Sequence, residues 1–292
     1  MNQPTTPKPK FYDMLHSNNA ARIRLWLRLT HNTEKVQTIM LTHSGIESPH
    51  YKSINPLQKV PALVTENGLH LFESSVILQY LQDYFSSSGE EDDDDDDKRN
   101  LILDTPSDRA YINLIIRCHD LYIASPNSTQ PNFSHTQGCM YLDPNPTKYT
   151  PKRRTMTTSV RAAKLKELYQ QLCWLEANCR VEKGGSYLAG EKMTCADITW
   201  FPTACFMEIL LPKVFGWTPI FFPPNDDTTK EIKVNTTAAF PKLTAWFQYC
   251  CTNQHFALTR NEIRSVLIDD HAANGRFQGV IEDVQSHSEY KW

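Results

Sequence analysis

Residues 54–84 read INPLQKVPALVTENGLHLFESSVILQYLQDY. The stretch runs as loop, proline, strand, tight turn, strand and capped helix. Val60-Pro61 ends the loop, and Ala62, Leu63 and Val64 make a short apolar strand. Asn67-Gly68 marks a hairpin, because both residues tolerate positive φ. Leu69–Phe72 returns as the second strand. Glu73-Ser74-Ser75 then opens a helix with Val76, Ile77, Tyr80 and Leu81 on its apolar side.

Two features of this stretch suit a ligand. A helix beginning at Ser74 offers free N–H groups and a hydroxyl, the chemistry that holds a carboxylate. A proline between loop and strand is a candidate cis peptide, which would present the N–H and C=O of Val60 to an extended peptide. Either feature alone is better read as an ordinary N-cap or an ordinary trans proline. Their succession, with Lys59 beside one and Glu73 beside the other, is far more specific.

NPLQKVPAL followed by a hairpin and ESSVILQYL resembles the glutathione-binding half of the cytosolic glutathione S-transferases. The resemblance is strong over residues 10–85 and looser beyond. It implies a thioredoxin-like domain with a cis proline at Pro61. It further implies that the Val60 backbone pairs with the cysteinyl part of glutathione. Glu73 and Ser74 are then expected to hold the γ-glutamyl end, and Lys59 to lie near the glycyl carboxylate.

Upstream, Lys10–Met14 is a candidate strand and His16-Ser17-Asn18-Asn19 a turn rich in capping residues. Ala20–Leu29 has helical spacing, with Ala20, Ile23, Trp26 and Leu27 on one face and Arg22, Arg24 and Arg28 elsewhere. Val36–Leu41 is a second strand, so the segment is a parallel βαβ unit. With the hairpin and its helix, the N-terminal order is β-α-β-β-α.

A chain of 292 residues buries a sizeable core and is expected to form two domains. Its formal charge of −3 becomes +5 once the eight consecutive acids Glu90–Asp97 are set aside. That run reads as a solvated insertion between domains, not as a calcium loop. No apolar run is expected to span a membrane. The polar start MNQPTTPKP lacks the apolar core of a secretory signal, which makes a cytoplasmic location the expectation. None of the eight cysteines has zinc-ligand spacing, so buried free thiols and no metal are expected. In that compartment the triplets at Asn127, Asn132 and Asn235 are not expected to carry glycans.

From Pro106 the pattern is helical. Asp108–Ile123 reads as one long amphipathic helix, Ala124–Pro151 as a loop, and Thr157–Asn178 as the next helix. Thr194-x-x-Asp197 is a capping box opening a buried helix, which makes Asp197 a folding residue. Asn225–Thr237 reads as a polar insertion. Phe240-Pro241 starts another helix with Trp246 and Phe247 inward, and a shorter one is expected near Asn261–Ile268. The fold class is therefore α+β: a thioredoxin-like domain over 10–86, an acidic linker over 87–105, an all-helical domain over 106–270 and a tail over 271–292.

A free thiol near pKa 8.5 is only a few per cent ionised at neutral pH. Lowering that value by two units takes about 2.7 kcal/mol in favour of the anion. A hydrogen bond to a charged group supplies roughly 1.5–3 kcal/mol, and a helix N-terminus roughly 0.3–1 kcal/mol more. One hydroxyl at the start of the first helix is enough, and Ser17 occupies that place. Here the chain resembles the serine-type transferases of the theta, phi and zeta groups. In isolation Ser17 reads as a plain N-cap; within this frame the catalytic role is favoured. Tyr12 is the second candidate, and Asn18 or Asn19 are possible further donors to the sulfur. No cysteine precedes Cys118, so redox chemistry by a thiol at the first helix is disfavoured.

The resemblance implies an enzyme that conjugates glutathione to apolar electrophiles in detoxification, or uses it to reduce peroxides, and that works as a homodimer. Met14, Leu15, Tyr111, Ile115 and Tyr122 are candidate walls for the second substrate, or ordinary core. The alternatives are a zeta-type glutathione-dependent isomerase, weakened by Asn19 where that group has cysteine, and a non-catalytic transferase-like scaffold. Lys152-Arg153-Arg154 lacks the interleaved aromatics of a nucleic-acid site.

Overall fold

The computed structural model describes residues 7–87, 101, 105–124, 136–147, 155–224 and 239–292. The acidic run Glu90–Asp97, the Asn127, Asn132 and Asn235 triplets, the Lys152–Arg154 cluster and the whole insertion Asn225–Thr237 lie outside those residues. The chain divides into two compact units, Met1–Leu101 and Ile102–Trp292.

The first unit is a four-stranded mixed sheet with helices. Its elements are β1 (Lys10–Asp13), α1 (Asn18–Leu29), β2 (Gln37–Met40), α2 (His43–Glu47), α3 (Pro49–Ile54), β3 (Ala62–Val64), β4 (His70–Phe72) and α4 (Ser74–Ser87). The strand order is β2-β1-β3-β4, with β1 parallel to β2 and antiparallel to β3. The hairpin is closed by Gly68 donating to Thr65 O and by Leu69 donating to the Thr65 hydroxyl. Of the Asn67-Gly68 pair, only Gly68 takes positive φ.

Strand alternation sends successive side chains to opposite faces. Tyr12 and Ala62 join Tyr51 and Ile54 in one cluster, on the side of α3. Phe11 and Leu63, partners in the register, are fully buried on the other face. There α1 packs on α4, and both pack on strands. The apolar stripe of α1 is as expected, but the helix also buries Arg22 and Arg24. Each has a partner in the fold. Arg24 is paired with Asp13, and Arg22 donates to Ser74.

The second unit is helical: α5 (Pro106–Cys118), α6 (Thr158–Asn178), α7 (Cys195–Phe215), α8 (Pro241–Cys251), α9 (Gln254–Arg264) and α10 (Gln278–Ser286). The expected long helix from Asp108 is α5 followed by a wider π-helical turn, His119–Ala124. The stretch read as loop contains a fully buried 3-10 turn, Thr136–Met140. Arg161 explains it: the buried guanidinium donates to the carbonyls of Cys139 and Leu142 and to Asp283. Asp283 belongs to α10, so the segment read as a tail carries a packed helix. Polar turn composition hides such a segment, because its buried carbonyls are satisfied by a distant arginine.

The capping box opens α7 as expected, with Thr194 and Asp197 both engaged. Asp197 also accepts hydrogen bonds from Leu188 N at 2.7 Å and Trp246 Nε1 at 2.9 Å, joining α7 to α8. At 21 residues, α7 is long and apolar enough to cross a membrane, against the expectation that no such run exists. It is instead the buried centre of its own unit, with Trp200, Phe201 and Leu210 enclosed.

Candidate functional site

Three strand ends set the geometry. The register pairs Tyr12 with Ala62 and Ala62 with Phe72 across β1, β3 and β4. Because β3 is antiparallel to both neighbours, the turn after β1, the residues before β3 and the residues after β4 leave the sheet at one end. Ser17, Val60-Pro61 and Glu73-Ser74 are thereby gathered from three separate parts of the chain.

Ser17 is the N-cap of α1, with extended backbone angles, and its Oγ accepts from Ala20 N at 3.3 Å. The turn carrying it is braced from inside. Arg24 pairs with the fully buried carboxylate of Asp13 and donates to Leu15 O at 2.9 Å. Tyr12 is enclosed in the cluster with Tyr51, their ring centroids 5.6 Å apart, and burial raises its phenol pKa. Its hydroxyl is therefore harder to ionise than an ordinary tyrosine's.

The loop before β3 is fixed by two side chains. Tyr51 Oη donates to Lys59 O at 2.5 Å and Asn55 Nδ2 donates to the same carbonyl at 2.8 Å. Asn55 Oδ1 accepts from Leu57 N, and Gln58 takes a φ of 52°. The backbone of Lys59 is thus held while its side chain stays exposed. The Val60-Pro61 peptide is cis. Among the described residues, no hydrogen bond uses the N–H or C=O of Val60.

At the head of α4, Glu73 has a φ of 72°, a left-handed conformation uncommon for a residue with a side chain. Its side chain is exposed and Ser74 is buried. Arg22 Nη1 donates to Ser74 Oγ at 3.1 Å. A guanidinium can only donate, so Ser74 is the acceptor here and keeps its own hydrogen for another oxygen.

Sequence reading missed Arg22, Arg24, Tyr51 and Asn55 as supports of this site. The first two were legible only as positions off the apolar face of α1. Asn55 was visible in NPLQK, but its role depends on how the loop folds back. Of the proposed substrate walls, Met14 and Ile115 are buried, and Tyr111 donates to Asn178 O with Arg180 over its ring at 4.0 Å. The eight cysteines are free, six of them buried. Burial raises the thiol pKa of Cys118 and Cys179, and takes Cys139 and Cys251 up to about 12.

Two family models match the chain: the glutathione S-transferase N-terminal domain over residues 7–83 and the glutathione S-transferase C-terminal domain over residues 147–253. Together they take in well over half of its length. No curated protein sequence gives a match. Among solved structures, the fold resembles Ure2p in complex with glutathione, at 16% identity and a TM-score of 0.59, over 89% of this chain and 96% of that one. It resembles glutathione transferase Omega 1C from Trametes versicolor at 16% identity and a TM-score of 0.60, over 94% and 98% of the two chains. It also resembles a maleylacetoacetate isomerase from Methylobacterium extorquens AM1 with bound malonate and glutathione, at 18% identity and a TM-score of 0.58, over 87% and 97%. At these identities the structures speak for the fold alone. The two domain families, in their usual order on one chain, place this protein in the glutathione S-transferase superfamily.

Proposed function

We propose that this protein binds glutathione at the shared end of β1, β3 and β4 and transfers its thiolate to an apolar electrophile, Ser17 supplying the hydrogen bond that stabilises the anion. The observation that carries the reading is the state of the two serines. Ser17 Oγ accepts from Ala20 N and Ser74 Oγ accepts from Arg22. Each hydroxyl therefore keeps its hydrogen to donate, Ser17 to a thiolate and Ser74 to the γ-glutamyl carboxylate. Capping and catalysis by Ser17 are compatible, because they use different parts of one hydroxyl.

In this reading the Val60 N–H and C=O pair with the cysteinyl backbone of the tripeptide, an extended-strand mode of recognition. Pro61 orients that peptide unit, Glu73 faces the α-amino group and Lys59 the glycyl carboxylate. The described cysteines with raised thiol pKa values are poor nucleophiles, which supports using the substrate's thiolate. The proposal includes a homodimer, from family resemblance, and the cytoplasmic location expected above. Peroxide reduction uses the same thiolate and is a second outcome of the same site. Asn19 has no thiol to contribute to a zeta-type isomerisation.

Calorimetric titration with glutathione, combined with turnover of an aryl halide and an organic hydroperoxide, tests the reading. Ser17→Ala is expected to lower kcat at least about tenfold while leaving glutathione affinity within about twofold, as expected when only transition-state stabilisation is lost. Unchanged turnover in Ser17→Ala refutes the role of the hydroxyl. Glutathione binding without turnover of any substrate, in the wild-type protein, would support a scaffold.

A further inference from the structure

We infer that His16 and His43 form a two-imidazole site for a divalent cation of the zinc, nickel or copper kind. The inference goes beyond the proposed reaction and does not rest on it. Its basis is the parallel pairing of β1 and β2. Asp13 is the register partner of Met40 at the end of both strands, and Leu41 N donates to Asp13 O at 2.8 Å just beyond. His16 and His43 each stand three residues past that pair. Two chain segments leaving the sheet side by side thus deliver one imidazole each to the same place.

The rings meet with centroids 5.4 Å apart and planes inclined by 45°. Two imidazole nitrogens about 2.0–2.1 Å from a tetrahedral ion put their ring centroids roughly 5–5.5 Å apart. The inclination excludes parallel stacking, and the separation is that of two imidazoles on one ion. The mounting is firm on the side of His43. The Thr42 hydroxyl, 3.0 Å from the Ser44 hydroxyl, accepts from Gly45 N at 3.2 Å and caps α2.

His43 is exposed and His16 half-buried, so an ion can arrive from solvent. Imidazole is a good ligand for zinc, copper and nickel and a poor one for calcium or magnesium. Among the described residues, no group of three or more His, Cys, Asp or Glu side chains is gathered around a common point. The site therefore supplies two protein ligands and leaves the remaining positions to water, fewer protein ligands than either a structural or a catalytic zinc site has.

The experiment is a Cu²⁺ titration of the full-length chain by calorimetry, with electron paramagnetic resonance on the first equivalent. The chain has ten histidines, so the signature must come from this pair. Wild type is expected to show superhyperfine coupling to two imidazole nitrogens, and Zn²⁺ to compete at the same stoichiometry. His43→Phe keeps a ring in place and removes the ligand. It is expected to lose one nitrogen coupling and to bind at least about tenfold more weakly, and His16→Ala to do the same. Circular dichroism of each variant establishes that it is folded. If folded His43→Phe keeps wild-type affinity and both couplings, or if wild type shows one nitrogen only, the assignment is overturned.

Discussion

Arg22 and Ser74, 52 positions apart in the chain, are joined by a 3.1 Å hydrogen bond inside the protein. The bond ties the first helix to the head of the fourth and sets which way the serine hydroxyl can donate. Arg22 is almost completely buried, at 1% exposure, so its charge acts in a low-dielectric surrounding. Replacing it with Met is expected to cost about 1.5–3 kcal/mol of stability, the worth of a hydrogen bond to a charged group. Glutathione affinity is expected to fall at least about tenfold, because Ser74 loses its orientation. Arg22→Lys is not expected to restore it, since an ammonium lacks the planar reach of the guanidinium. Denaturant unfolding and glutathione titration on each variant check both parts.

The Asp13–Arg24 pair lies beneath the turn that carries Ser17. One oxygen of Asp13 meets Arg24, and the other is buried without a hydrogen bond among the described residues. Removing one member of a buried pair leaves an uncompensated charge and typically costs about 3–5 kcal/mol. Asp13→Leu and Arg24→Met are each expected to fall in that range, and the double variant to cost clearly less than their sum. A double-mutant cycle by urea unfolding measures it. Additivity of the two changes would show that the pair is not coupled.

Asp197 links stability to pH. It is fully buried, and burial pushes its carboxyl up from 3.8 to about 6. A carboxyl with a higher pKa in the folded chain than in the unfolded one binds its proton more tightly when folded. Its contribution is thus complete below about pH 4 and is lost as pH rises through about 6. A difference of two units corresponds to about 3 kcal/mol at most. Asp197→Asn should flatten this part of the stability–pH curve. It should also lower stability at pH 7, because its amide would face N–H donors from Leu188, Thr194 and Trp246. Urea midpoints between pH 4 and 7 for both proteins supply the comparison.

Cysteine alkylation separates a substrate thiolate from a protein thiolate. Only Cys173 and Cys251 are not fully buried. Iodoacetamide on the native protein is expected to modify these two at most, Cys251 slowly because burial takes its pKa to about 12. Glutathione-dependent turnover should survive the treatment. Mass spectrometry locates the adducts, and loss of turnover in step with one of them would implicate a protein sulfur instead.

Much of this was open to reading from local patterns. The hairpin signal at Asn67-Gly68, the helix start at Glu73-Ser74, the βαβ period before it and the Thr194–Asp197 capping box are short-range features. Their physics is contained within a few residues, so composition and spacing reveal them. Most places where reading failed share a cause. Arg161 satisfies carbonyls of the buried turn Thr136–Met140, and its partner Asp283 lies over a hundred residues away. The turn does not announce itself by periodicity, whereas the packed helix at Gln278–Ser286 does, with Val280 and Val284 one turn apart on its buried face. The arginines of α1 looked like surface residues because charged side chains usually are, and only their partners Asp13 and Ser74 make burial tolerable.

By itself the sequence determined which backbone shapes form, since turn chemistry, capping and apolar period act over distances shorter than a helix. It also determined which residue types stand at each strand end. Tertiary structure alone decided that three of those ends coincide, that Arg22 meets the Ser74 hydroxyl, and that His16 meets His43. Those outcomes depend on strand register and on buried hydrogen bonds between residues tens of positions apart, and neither leaves a local mark in the chain.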